Sequence, residues 1–340
     1  MNAPNLRTVL IASVSGFALA VPAAAAAQTF PGVEHDVIGP NADDVLTISL
    51  PGDPQVIHGD IEHGTASATA ILNFGGGQIV QMGFASGTGT ASGNADLTIE
   101  NGGSALLVAS AVASDPGGPA NAAAFALQDI VQIAGAVHNA TALIQNTGSL
   151  EAKAAAAAHG SSAHANVLFD SAIFQQAIGN HADAGIVNSG SLQILGSAVA
   201  AATVGAAVAS VEMSGIHQAA TGGSAAVAHF TNTGHFAVTG VAHAGGAVAA
   251  TALASVIDGV LQNASGTGPS SSVTLDNHGL ISIEAIATAK ADGPVRAAAA
   301  VDAGLVQLGE SPAGDDLLIH NSGTYQVDAI ASADAGPHRA

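Results

Sequence analysis

Apolar residues in this chain alternate with polar or small ones over short stretches, and the alternation keeps returning in the same words. GIVNSGSLQI, residues 185–194, is typical: Ile186, Leu192 and Ile194 lie an even number of residues apart, with Asn188 and Gly190 in phase between them. Nearly the same word occurs as LIQNTGSLEA, HFTNTGHFAV, TLDNHGLISI and LIHNSGTYQV. Asn-x-Gly recurs at Asn101, Asn146, Asn188, Asn232, Asn277 and Asn321, with spacings of 45, 42, 44, 45 and 44. An aliphatic-x-Gln pair recurs in step, ending at Gln81, Gln132, Gln175, Gln218, Gln262 and Gln307. A fixed period of this length marks one supersecondary unit copied in tandem.

The period inside each unit predicts its secondary structure. Two residues before each Asn stands Ile99, Ile144, Ile186, Phe230, Leu275 or Ile319. Four and six residues after it are mostly large apolar side chains, such as Leu192 and Ile194 or Phe236 and Val238. Ten and twelve after it every copy has alanine, from Ala111 and Ala113 to Ala331 and Ala333. Steps of two put these positions on one face of a strand. The intervening positions, including Glu151, Lys153, Gln193, Glu284 and Asp328, suit a solvent face. EAKAAAAA alone would favour helix. Its matched copies LQILGSAVAAA and FAVTGVAHAGG carry Gly and β-branched residues, which favour strand. Turns are predicted after each alanine strand, at DPGGP (115–119) and ADGP (291–294) for example. One repeat therefore reads as about three strands.

A unit of this size buries its apolar face only by stacking on its copies. The predicted fold is all-β, a parallel β-solenoid with flattened coils of about 44 residues stacked about 4.8 Å apart. Each Asn then lies over the next, and the amides form a hydrogen-bonded ladder along one corner. The corner is expected to be left-handed at Asn, with Gly supplying positive φ. The Gln series reads either as a second ladder or as exposed polar residues following buried aliphatic ones. Alanine methyls cannot fill a wide interior, so the coil is expected to be a wedge, thick at the Asn corner and thin at the alanine end. Burying one methyl contributes roughly 0.8 kcal/mol, below the roughly 1–2 kcal/mol of backbone entropy lost per residue. Stability must come from many coils sharing their ladders.

The segmentation is a signal peptide at 1–27, an N-terminal linker at 28–42 and the repeat domain at 43–340. In that domain 43–82 is a divergent first coil, with Pro51-Gly52-Asp53 where an Asn-x-Gly is expected, and 321–340 an incomplete last one. Arg7, the apolar run VLIASVSGFALAV and Ala25-Ala26-Ala27 before Gln28 have the form of a secretory signal. No other stretch is apolar enough to span a bilayer. The expected location is outside the cell or on its surface. With no cysteine, packing and hydrogen bonds must hold the exported chain without disulfides.

Charge removes further classes. The net charge is −20, and after Arg7 the only fixed positive charges are Lys153, Lys290, Arg296 and Arg339. That is too few to neutralise nucleic-acid phosphates or to adsorb to anionic lipid. The acidity is read as a source of solubility.

The tandem Asn-x-Gly-x-aliphatic words, the alternation, the signal and the lack of cysteine resemble the passenger regions of proteobacterial autotransporters and haemagglutinin-type adhesins. The resemblance covers roughly residues 43–333. It implies a right-handed parallel β-helix displayed at the cell surface or secreted. Two departures stand beside it: these residues include no β-barrel translocator, and a period near 44 is long for one coil, so a repeat makes one coil or two.

No catalytic signature is found: no Gly-x-Ser-x-Gly elbow, phosphate loop or dinucleotide fingerprint. No cofactor is expected. The 14 histidines are dispersed; His159/His164 and His58/His63 are the closest pairs, and no metal site is assigned. Asp43-Asp44 and Asp315-Asp316 offer places for Ca2+ but lack the calcium-repeat series, so capping or turn roles are expected. The expected function is a structural or adhesive surface rod that presents loops such as 82–95 or 263–272 to a surface receptor or glycan. The alternatives are a matrix fibre self-stacking through the solenoid ends and a polysaccharide-active β-helix enzyme.

Overall fold

The computed structural model describes residues 33–39, 42–48, 55–64, 67–72, 79–85, 94–268, 270–312 and 314–336. The proposed signal segment and Pro51-Gly52-Asp53 lie outside these residues. The described chain is all-β, with twenty strands joined in one continuous, parallel-paired sheet. Each 44-residue repeat makes one coil, because every strand pairs with its copy one repeat on.

A coil has four legs, which the coil of Ser104–Leu127, Ile130–Ala136 and Asn139–Asn146 joins into three strands, the number expected. The Asn leg occurs seven times, as Ala42–Ile48, Ala95–Asn101, Asn139–Asn146, residues 181–188 and 225–232, Ser270–Asn277 and Asp315–Asn321. The alanine leg follows the corner, as in Ser191–Ala202, His235–Gly246 and Leu280–Ala291. The return leg comes back as residues 163–169, 207–213 or 250–256. In the earlier coils the Gln leg starts separately, as Ile79–Ala85, Ile130–Ala136 or residues 173–178, whereas Ala206–Asn232, Ala249–Gly266 and Val295–Glu310 run from return leg into Gln leg as one strand. Where the two legs are separate the backbone turns through positive φ, at Gln128 (58°) and Ser171 (50°). This break falls inside what alternation alone reads as one run leading to Gln. At the bend between alanine and return legs, some coils continue as one strand through residues 104–127 and 149–170, whereas residues 203–205 make a turn.

Matching positions stack as columns. Ala111, Ala156, Ala198, Ala242, Ala287 and Ala331 pair in succession, and Ala113 to Ala333 do the same. In the inner coils these methyls are buried. The cross-section tapers at both ends instead of forming a wedge. One alanine end lies around the bend between alanine and return legs. The other lies between Gln and Asn legs, where a separate cluster is built almost wholly of alanine, including Ala134, Ala140, Ala142, Ala177, Ala182 and Ala184. The thick middle holds the large residues; Phe230 and Phe236 meet edge to face across the Asn corner, with centroids 5.2 Å apart. The second taper comes from small residues six before the first five Asn, from Ala95 to Ser271, and two after each Gln.

The first coil also differs from expectation. Val33–Gly39 pairs with Ile79–Ala85, so the stack begins inside the segment read as a linker. Ile48, not Pro51, lies beside Asn101. Seven Asn legs at about 4.8 Å per step give a stack about 29 Å tall, while one twelve-residue alanine leg alone runs about 40 Å. The described body is thus a slab wider than tall. Of the segments expected as presenting loops, 82–85, 263–266 and 270–272 are strand.

Candidate functional site

The most ordered polar feature is internal. Asn101, Asn146, Asn188, Asn232 and Asn277 are buried, and each Nδ2 donates to the Oδ1 of the next Asn at 2.6, 2.7, 2.8, 2.8 and 2.7 Å, ending on Asn321. Each also donates to a backbone carbonyl in the coil it points to, as Asn146 does to Ser191 and Asn188 to His235. The backbone runs in parallel, with Thr147 and Gly148 N–H groups both donating to the Asn101 carbonyl.

The glycine of this corner has a different role from the one expected. None of the corner Asn or Gly residues has positive φ; among the described residues only Gln128, Ser171 and Gly314 do. Glycine is needed because successive corners approach too closely for a side chain. A Cβ on Gly148 would collide with the Gly103 carbonyl oxygen, one on Gly190 with that of Gly148, and one on Gly234 with that of Gly190.

The Gln series points inward. Gln81, Gln132, Gln175, Gln218 and Gln262 are fully buried, and the amides are linked at 2.8, 2.8, 2.9 and 2.9 Å, with Gln307 joining at 3.1 Å. The same Nε2 atoms reach across the coil to carbonyls of the Asn leg, as Gln175 does to Gly185 at 3.0 Å. The Gln ladder ties opposing legs together while it ties successive coils.

Two features were not picked out from the sequence. Asp129 sits at the turn before a Gln leg, fully buried, and neither carboxylate oxygen has a hydrogen-bond partner among the described residues. Desolvation pushes its pKa well above the ordinary carboxylate range. The second feature is a cluster on the outside of the Asn corner between the last two coils. Asp276 Oδ1 lies 2.8 Å from His320 Nδ1 and 3.1 Å from His278 Nε2. The His278 and His320 rings stand edge to face with centroids 5.4 Å apart, and His278 Nδ1 is hydrogen-bonded to the Ser322 hydroxyl. The hydrogen bond from His320, followed by the charge and hydrogen bond of His278, holds the Asp276 carboxyl below its ordinary range. The words DNH at 276–278 and HNS at 320–322 contain this cluster, but only the stacking register brings them together.

Other titratable groups are more scattered. His159 and His164 are exposed on opposite sides of a bend. His229 Nδ1 meets Asp183 at 3.0 Å, its ring lying over Gly185 where a Cβ would clash. Lys290 pairs with Asp334 at 2.9 Å on the surface. Asp315, of the acidic pair considered for Ca2+, accepts a hydrogen bond from the Ser271 hydroxyl in its column. A shallow groove at the bend between Gln and Asn legs is lined by Thr221, Gly222, Ser265, Gly266 and Glu310 among others. Glu310 is the single carboxylate among its described lining residues, whereas glycoside hydrolysis ordinarily uses two.

No family model, curated protein or solved structure matches the chain.

Proposed function

We propose that this chain is an exported structural or adhesive surface protein, comparable in role to an autotransporter passenger region. The supporting observation is that coil after coil pairs in parallel with its neighbour, with register shifts that beyond the first coil fall at the bends, as at Gly160–Ser162, Gly179–His181 and Met213–Ser214. The repeated Asn and Gln side chains point inward, into two amide ladders that tie each coil to the next. A cysteine-free chain with a signal-like leader suits the same role. Testing requires sequencing the N-terminus of the protein recovered from its native host. Export with cleavage predicts Gln28 as the first residue in the surface or extracellular fraction. A Met1 terminus confined to the cytoplasm would refute it.

A second observation favours self-stacking as the way this surface material is built. Leu317, Ile319, Tyr325 and Val327 occupy columns that face the core in earlier coils, yet in the last coil they are 50, 58, 39 and 42 % exposed. A slab becomes a rod only when further coils continue these columns, and a second copy supplies coils of the same chemistry. Light scattering and electron microscopy of the purified protein separate the readings: concentration-dependent rods support stacking, and monodisperse monomers at high concentration refute it.

A further inference from the structure

We propose that Asp276, His278 and His320 form a divalent transition-metal site that clips the last two coils together, with Zn2+ as its natural ligand class. Two imidazoles and one carboxylate offer three ligand atoms, all within 4.8 Å of one another. Zn–N and Zn–O bonds of about 2.0–2.1 Å in a tetrahedral site put ligand atoms about 3.3 Å apart. The observed Asp276 separations of 2.8 and 3.1 Å therefore need only a small expansion around an ion. Mixed imidazole and carboxylate ligation selects Zn2+, Ni2+ or Cu2+ over Ca2+ or Mg2+, which prefer oxygen alone.

The support around these residues is of the kind metal ligands use. His278 keeps Nε2 toward Asp276 because its Nδ1 is engaged by Ser322, and such outer hydrogen bonds fix tautomer and ring orientation at metal sites. The backbone beneath is held by the ladder, since Asp276 and His278 flank Asn277, His320 and Ser322 flank Asn321, and those two amides bond at 2.7 Å. Three protein ligands on an open surface leave a fourth position for water or for a group from another molecule.

The test uses the purified full chain carrying no polyhistidine tag, stripped with chelator and dialysed against micromolar Zn2+, with bound metal counted by elemental analysis. One equivalent is expected for the unaltered protein. It should be lost, through at least a roughly tenfold fall in affinity, in His278→Ala and His320→Ala, and kept in His159→Ala. Far-UV circular dichroism checks that each variant keeps its strands, and the size-matched Asp276→Asn and His320→Gln replace any variant that does not. Co2+ in place of Zn2+ should give the visible absorption of a tetrahedral site, absent from the same variants. Failure of the unaltered protein to bind an equivalent overturns the proposal, as does binding that survives loss of both histidines.

Discussion

Replacing Asn188 by alanine removes an inner rung of the Asn ladder, and the structure fixes what is lost. Asn188 accepts from Asn146 Nδ2 at 2.7 Å and donates to Asn232 Oδ1 at 2.8 Å and to the His235 carbonyl at 3.0 Å. At roughly 1 kcal/mol net per hydrogen bond, the loss is about 3 kcal/mol, and more if the orphaned groups stay dry. Asn321 terminates the ladder; its replacement removes the bond from Asn277, whose Nδ2 keeps the Thr324 carbonyl, and should cost about 1 kcal/mol. The prediction is thus a difference of about 2 kcal/mol between two chemically identical substitutions, or roughly 30-fold in equilibrium constant. Far-UV circular dichroism during urea unfolding is the suitable assay, since the chain has no tryptophan and one tyrosine. Repeat arrays can unfold in parts, so amide exchange at the corner should be followed alongside. Equal costs at the two positions, or an Asn188→Ala cost within about 0.5 kcal/mol of zero as at an ordinary surface site, would refute the ladder as an energetic element.

Three further outcomes follow from neighbouring features. Asp129→Ala should stabilise the protein at pH 7 by about 1–3 kcal/mol, the cost of an unsatisfied buried group; its column already holds alanine at Ala172. The unfolded carboxyl titrates near 3.8 and the folded one higher, so stability falls as pH rises above 3.8 while only the unfolded state releases its proton. The gain should shrink at pH 3, where both states hold that proton, and urea midpoints showing the same gain at both pH values would contradict this. Gly190→Ala should cost about 1–3 kcal/mol through collision with the Gly148 carbonyl, whereas Gly245→Ala, with nothing within 4 Å of the added methyl, should be nearly neutral in the same measurement. Gln175→Leu should destabilise by about 2–3 kcal/mol, since it severs bonds to Gln132, Gly185 and Gln218; thermal unfolding unchanged from the parent would count against the second ladder.

Much of this fold can be read from the chain, because a solenoid repeats its physics. The recurrence of Asn, Gln and alanine at fixed offsets identifies columns, and period-two alternation identifies which side chains enter the core. Features made by contact between coils are harder to read. The corner glycines look like turn residues within one repeat, and only the approach of the next carbonyl reveals their steric role. Gln175 stands in the inward phase with Phe169, Ile173 and Ala177, but a polar amide in that phase is confirmed as a core residue only by its ladder partners in the coils on either side. Ile48 replaces the first Asn and lies 33 residues before Gln81, so counting back by the usual spacing lands on Pro51 instead. Asp276, His278 and His320 are ordinary polar residues until the register makes them neighbours.

The stacking register is the central claim, and a chain without cysteine lets disulfide formation test it directly. Thr239 and Glu284 are matched on adjacent alanine legs, and Asp328 lies in the same column one coil further. Adjacent coils hold matched Cα atoms about 4.8 Å apart and alternate coils about 9.6 Å, while a disulfide needs about 4.4–6.8 Å. Oxidation of Thr239→Cys with Glu284→Cys should therefore give an intramolecular disulfide, identified by peptide mass mapping, and Thr239→Cys with Asp328→Cys should stay reduced. No disulfide in the first pair, or ready closure of the second, would contradict the stack.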